Sequence, residues 1–481
     1  MVEHTSIRMN DGVHLDATVL TPDGPAPADG WPSILLVHGH GDDGSKAMCL
    51  DRRGYRYAEA GYLVCAYSVR GQGASEGLSF HLGARELFDL QDVIDWFFDQ
   101  HPVRRLAVVG SSQGGWHAWM AAAHHPRVTT AVPMNIFTNY ADFAVENGCL
   151  TRWFFTRTMR RRVCTAGLQE LAVDWALQGE WERLRTWLRP MSPALFADRV
   201  RCPVLIVHGW HDAGMPAGDV LRLFDRLRVP KRLYLGGGGH EGRDHADAEQ
   251  VRITLEARWL AHWLKGEANG VMEDPPVVFA RRPGWEHGHA VQIPTPGPTG
   301  ATLFLRLDGT LRPESTDRVV THRNVHNVIV DPGYGLQQAL LRDLDGVDAA
   351  VRHEPQIFDG QPLAAPMWIL GEPTATLHVL CNRPNYQVHA ALFDVSADGT
   401  ARRITRGHVG TRSATPGQHH RVEVVLRAIS YEVPAGHHLR LVVGNMDPEV
   451  VFPFFERFTL RLYVDHERSS CVRLPCHPAG A

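Results

Sequence analysis

A chain of 481 residues is too long for one ordinary domain core, so two domains are the natural expectation. Its 44% hydrophobic and 21% charged residues suit a soluble globular protein, and a formal net charge of -4 offers no basic surface for nucleic acid or an anionic membrane. No apolar run is long enough to cross a bilayer, the segment Met1 to Arg8 lacks a signal-peptide core, and eight scattered cysteines suit reduced thiols, so a cytoplasmic protein is expected.

In chain order, Ser6 to Thr21 alternates around Asn10-Asp11-Gly12, which predicts a hairpin. Ser33 to Val37 is a short buried strand that opens into the glycine loop His38-Gly39-His40-Gly41. A helix is expected around Tyr55 to Ala60, ended by Gly61, and then a buried strand from Tyr62 to Tyr67. Glu86 to Phe98 places Leu87, Leu90, Ile94 and Phe97 on one helical face. Next, Leu106 to Val109 feeds Gly110-Ser111-Ser112-Gln113-Gly114, and Trp116 to Ala123 reads as a helix directly after it. Val128 to Met134 predicts one more strand. This alternation implies a mostly parallel sheet covered on both faces.

Asn135 to Asp198 breaks the rhythm: rich in tryptophan, phenylalanine and arginine, it predicts helices with no strand, a cap over the G-x-S-x-G turn. The sheet resumes at Pro203 to Val207 and Arg232 to Leu235, and a helix follows from Ala246 to Leu264. After Pro275 the texture changes, beyond the linker-like Pro294 to Pro298. Short strands are expected at Leu303 to Leu307, Thr376 to Leu380, His389 to Val395, Val422 to Leu426 and Leu439 to Val443. Turns at Asp308-Gly309, Asp398-Gly399 and Ala435-Gly436 punctuate this region. The expected division is therefore 1–134 with 199–274 for an α/β catalytic domain, 135–198 for its helical cap, and 275–481 for an all-β sandwich of jelly-roll type. Within that last region, pairing of Cys471 with Cys476 stays open.

A strand, a sharp turn and a helix around G-x-S-x-G is what a nucleophile elbow needs, so Ser112 is the expected attacking group. A serine hydroxyl is a poor nucleophile until a base takes its proton, and a third group must hold the base. In this architecture acid and base follow the serine on loops after later strands. The loop after Val204–Val207 carries Asp212, and the loop after Arg232–Leu235 carries His240. An acid one strand earlier has no candidate, since that position lies near Asn135. His245 is the nearest rival base. The oxyanion needs two N–H donors, and those of Gln113 and His40 are expected, with Gly41 or Asp42 as alternatives to His40. His38, His40, His208 and His211 cluster near strand ends, but none shows the spacing of a helical zinc site, so no metal and no cofactor is expected. Arg157 with Arg160 to Arg162 reads as a solvated helix face rather than an anion site.

These features resemble the α/β-hydrolases grouped with cocaine esterase, X-prolyl dipeptidyl aminopeptidase and α-amino acid ester hydrolase. The likeness rests on Arg70 to Gly77, the Gly110–Gly114 elbow, Gly209-Trp210-His211-Asp212, His240, and β-region pieces such as Leu392 to Val395 and Pro434 to Leu441. It implies an α/β-hydrolase sheet with a helical cap and a C-terminal jelly roll. The chain departs from those relatives at Gln113, where they usually carry tyrosine, at Ser68, where they carry aspartate, and at His38-Gly39-His40, near their oxyanion tyrosine. Its cap offers no carboxylate cluster assignable to an α-amine. The expectation is a serine hydrolase acting on a small ester or amide substrate through an acyl-enzyme. An acyltransferase or thioesterase with the same residues, or an X-prolyl-type aminopeptidase, is an alternative within enzymes, and a carbohydrate-binding protein with a vestigial site is the alternative outside them. No nucleic acid or membrane partner is expected, and the oligomeric state is open, a homodimer included.

Overall fold

In the computed structural model the described residues are 1–41, 44–158, 168–240, 246–293, 300–315, 321–341, 349–447 and 449–477. The expected hairpin pairs β1 (Val2–Arg8) with β2 (His14–Leu20) antiparallel, turned at Gly12 with φ +90°. Parallel pairing then joins β3 (Trp31–Val37), β4 (Leu63–Tyr67), β5 (Val103–Ser111) and β6 (Val128–Met134). Both faces of these strands are covered, which is why they read as unbroken apolar runs. Leu35, Val37, Leu106 and Val108 enter one core, and Ile34, Leu36, Ala107 and Val109 the other.

The sheet has ten strands, ordered β1-β2-β4-β3-β5-β6 and then Val204–Gly209, Lys231–Gly236, Val277–Ala280 and His287–Ala290. The last two lie past residue 275, yet fully buried Val277–Ala280 runs parallel to Lys231–Gly236 and extends this sheet. Helices Ala84–Gln100, Gln113–His124 and Ala246–Leu260 match the predicted ones to within a few residues. None of the helices among the described residues is long and apolar enough to cross a membrane.

Between β6 and Val204 lie helices Tyr140–Ala144, Leu168–Leu177 and Trp181–Leu188. The expectation of no strand there is corrected by a small hairpin, Val145–Glu146 with Cys149–Leu150. Asn147 and Gly148 close it with φ of +46° and +79°, the conformation a two-residue hairpin turn requires. A Cβ on Gly148 would lie 2.2 Å from the Gly410 carbonyl, so this turn sits hard against the C-terminal region.

That region is almost wholly β, with eight-, four- and three-stranded sheets and a short helix, Leu336–Leu341, among its described residues. The five expected strands are present, four of them longer and the first shifted to Ala301–Leu305, and Tyr386–Val395 pairs with a strand not anticipated, Ala401–Thr411, as a ribbon. Its core joins the catalytic one in a single apolar cluster, in which Phe279 stacks on Trp368 at 6.1 Å. Cys471 and Cys476 are free thiols on consecutive strands of different sheets, so the pairing left open is not made. Pro294 to Pro298 and Cys164 lie outside the described residues.

Candidate active site

The turn after β5 is built on three close backbone approaches. A Cβ on Gly110 would lie 2.3 Å from the Gly114 carbonyl oxygen, one on Gly114 2.0 Å from that of Val37, and one on Gly115 2.4 Å from that of Met134. Only glycine fits these positions. The compression holds Ser112 at φ +58° and ψ −118°, a strained positive-φ conformation that costs a non-glycine residue about 1–3 kcal/mol. Ser112 thereby stands at the end of the sheet, immediately before the helix that opens at Gln113.

Two loops from distant strands converge on it. His240 Nε2 lies 3.0 Å from Ser112 Oγ, and His240 Nδ1 lies 2.6 Å from Asp212 Oδ2. The other Asp212 oxygen accepts the N–H groups of Gly214 at 3.0 Å and Met215 at 2.9 Å. Asp212 is fully buried. Burial alone would raise its carboxyl, but the charge and hydrogen bond of His240, with His208 and the Met215 N–H, outweigh it and hold the pKa below the ordinary value. The two loops also brace each other, since the His211 N–H bonds the Gly238 carbonyl at 3.0 Å.

The glycine loop after β3 lies beside the serine, and a Cβ on Gly39 would be 3.6 Å from Ser112 Cβ. His40 Nδ1 stands 3.2 Å from Gln113 Oε1, which also accepts from Gln72 Nε2 at 3.0 Å. The Gln113 amide side chain therefore ties this loop and the Arg70 to Gly77 turn to the elbow. Gln113 opens its helix, so its N–H is one of the first-turn donors without an intrahelical acceptor. Asp42, the alternative donor, and His245, the rival base, lie outside the described residues, as do Arg160 to Arg162.

His38 and His208, read from the sequence as near strand ends, are tied to backbone groups. His38 Nδ1 donates to the Gly39 carbonyl at 2.8 Å and its Nε2 accepts the Val69 N–H at 2.9 Å; burial pushes its pKa down to about 4. His208 Nε2 bonds the Met215 carbonyl at 2.8 Å. Burial likewise lowers His211 to about 4, aided by the charges of Arg282, Arg403 and Arg406.

The cap contributes Trp153, whose ring meets that of His240 edge-on at 5.1 Å and packs on Gly214, where a Cβ would be 3.1 Å away. Beside it, a narrow cleft of about 20 Å³ runs between cap and acid loop, lined in part by Asp142, Glu146 and Asp219. Two of these carboxylates, Asp142 and Glu146, belong to the cap, and Asp219 follows the acid loop. Each is held by an arginine: Asp142 by Arg185 at 2.8 Å, Glu146 by Arg427 at 2.9 Å, Asp219 by Arg222 at 2.6 Å. Arg427 has no motif around it. The Asn147-Gly148 hairpin signal is the only sequence cue that this part of the cap turns back on the β region.

Two family models match the chain: X-Pro dipeptidyl-peptidase (S15 family) over residues 11–242, and the X-Pro dipeptidyl-peptidase C-terminal non-catalytic domain over residues 269–458. Among curated proteins, a putative Xaa-Pro dipeptidyl-peptidase of Streptomyces avermitilis is 23% identical over 501 residues, covering 87% of this chain and 71% of that protein. A second, from Bacillus cereus, is 23% identical over 49% of this chain and 45% of its own length. The chain spans about half the length of such Bacillus relatives. Among solved structures, an aminopeptidase from a marine sediment Thaumarchaeota archaeon aligns with TM-score 0.77 at 16% identity, over 98% of this chain and 96% of that one. An α-amino acid ester hydrolase aligns with TM-score 0.75 at 17% identity, over 99% and 96%. A CocE/NonD family hydrolase from Staphylococcus aureus gives 0.74 at 14%, over 99% and 94%. At these identities the structural likeness is one of fold.

Proposed function

We propose that this chain, which belongs to the X-Pro dipeptidyl-peptidase (S15) family of hydrolases, cleaves an ester or amide bond of a small substrate through an acyl-enzyme on Ser112. The observation that carries the reading is the unbroken run from Ser112 Oγ through His240 to Asp212, at 3.0 and 2.6 Å. As Oγ attacks the carbonyl carbon, His240 Nε2 takes its proton and Asp212 stabilises the imidazolium. The developing oxyanion accepts the N–H groups of Gln113 and His40. His240 then gives the proton to the departing alcohol or amine. Water attacks the acyl-enzyme by the same route, with His240 again as base, and releases the acid.

The pairing of Asp142 with Arg185 and of Glu146 with Arg427 supports a neutral acyl group over a free α-amine, because both cap carboxylates already have a cation, whereas Asp219 shares Arg222 with Glu372. The test has two arms. Ser112→Ala is expected to abolish labelling by a fluorophosphonate and to lower turnover by about 10⁴-fold or more while the protein stays folded. Labelling at the wild-type rate would overturn the assignment and shift it to Ser111. In a panel of p-nitrophenyl esters and aminoacyl amides, preference for an aminoacyl amide with a free amine would overturn the neutral-acyl reading alone.

A further inference from the structure

Arg427 lies in the β region, on the short link between strands His419–Val425 and Ile429–Val433. Its side chain is only 10% exposed, and its partners are on two other parts of the chain. Nη1 donates to the carbonyl of Asp212 at 3.0 Å and to that of Ala213 at 2.6 Å, while Nη2 donates to Glu146 of the cap hairpin at 2.9 Å. The acid turn is therefore held from both sides. The Asp212 carboxylate fixes its N–H end, at Gly214 and Met215, and the guanidinium fixes its carbonyl end, at Asp212 and Ala213.

The main chain of Arg427 is itself pinned. Its N–H donates to the Arg406 carbonyl at 2.9 Å and its own carbonyl accepts Thr405 Oγ at 2.6 Å. The strand that follows reaches the histidine loop as well. Arg282 N–H bonds the Ser430 carbonyl at 3.0 Å, and the Trp285 ring occupies the space where a Gly237 side chain would be, 2.4 Å from its Cβ position. One stretch of the β region, 427–432, thus braces the supports of both Asp212 and His240.

We infer that Arg427 is a positioning residue: it couples the β region to catalysis by holding the turn that aims the Asp212 carboxylate at His240. This rests on the Ser112, His240 and Asp212 reading above. A planar guanidinium is needed because it serves two adjacent carbonyls and a carboxylate from one group with fixed directions. A misplacement on the order of 1 Å in such a constellation costs about 10²-fold in rate. The β region supplies none of the reacting atoms but sets where they stand.

The experiment compares Arg427→Met and Arg427→Lys with the wild-type full chain, using a p-nitrophenyl ester and the rate of fluorophosphonate inactivation. R427M is expected to lower kcat about 10- to 100-fold, to leave KM within about threefold, and to slow inactivation by a like factor. R427K keeps the charge but has no fork, so its kcat is expected between the two, about 3- to 10-fold below wild type with KM unchanged. Should R427M fail to fold, R427K decides the question. Wild-type kcat in R427K, or a lowered unfolding temperature with kcat intact, overturns the inference. Ser112→Ala run beside them separates the two claims. Labelling that survives in S112A sinks the serine-hydrolase reading, whereas its loss there with R427K at wild-type kcat sinks only the role given to Arg427.

Discussion

Replacing Asp212 by asparagine keeps the shape of the acid and removes its charge, and the surrounding donors dictate how the amide must sit. One Asp212 oxygen accepts two N–H groups, at 3.0 and 2.9 Å, and the other faces His240 Nδ1 at 2.6 Å. Turning the amide NH₂ toward Gly214 and Met215 would set donor against donor twice, at roughly 1–3 kcal/mol for each group left unsatisfied. Turning it toward His240 sets up one conflict, which the ring relieves by moving its proton from Nδ1 to Nε2. The amide therefore faces His240, and the nitrogen beside Ser112 Oγ, 3.0 Å away, now carries a proton and cannot take another. Asp212→Asn is expected to lower kcat by about 10⁴-fold, roughly 5.5 kcal/mol of transition-state stabilisation, with KM within several-fold. Single-turnover hydrolysis of an activated ester, with thermal unfolding run in parallel, measures it. A folded variant with kcat within tenfold of wild type would refute the reasoning, because the carboxylate would then not be setting the tautomer.

Trp153 and Phe154 are neighbours in the chain with opposite expected consequences. Phe154 is fully buried against Tyr140, Phe143 and Phe155, so Phe154→Ala should cost about 3–5 kcal/mol in urea unfolding. Trp153 is only partly buried and lies on the His240 ring, so Trp153→Ala should change the order of preference across an acyl-chain panel at a smaller stability cost; an unchanged order would count against it. The buried histidines set the acid limit of stability. His38 and His117 are both held at about 4 by burial, below the roughly 6.5 of an unfolded chain, so the unfolded state takes up protons first as pH falls. Stability is expected in full above about pH 6.5 and to decline toward pH 4, by about 2 kcal/mol per histidine at pH 5. The depressed Asp212 carboxyl does not contribute in that window, since its share is lost only below its ordinary pKa of 3.8. Urea midpoints that stay level from about pH 7 to pH 5 would contradict this account.

The chain order Ser112, Asp212, His240 could be read before any coordinates because each residue lies just past the end of a buried strand, and strand ends carry local signals. Apolar runs of four to seven residues stop at glycines, and a parallel sheet places such ends along one edge. The expectations for Gln113 and for the loop at His40 rest on the same local logic. The cap was less legible: Asn147-Gly148 announces a hairpin, but the aromatic run around it reads as helix. Asp142, Glu146 and Asp219 carry no pattern that predicts a shared cleft, nor does adjacency in sequence say that Trp153 faces His240 while Phe154 faces the core. Arg427 is the extreme case. Its partners are backbone carbonyls 215 residues away in the sequence, and a carbonyl is the same group at every position. Local periodicity and turn chemistry fix strands and elbows, because those depend on neighbours in the chain. Contacts between a side chain and a distant backbone are decided only when the two layers pack, and that is where this site acquires its second support.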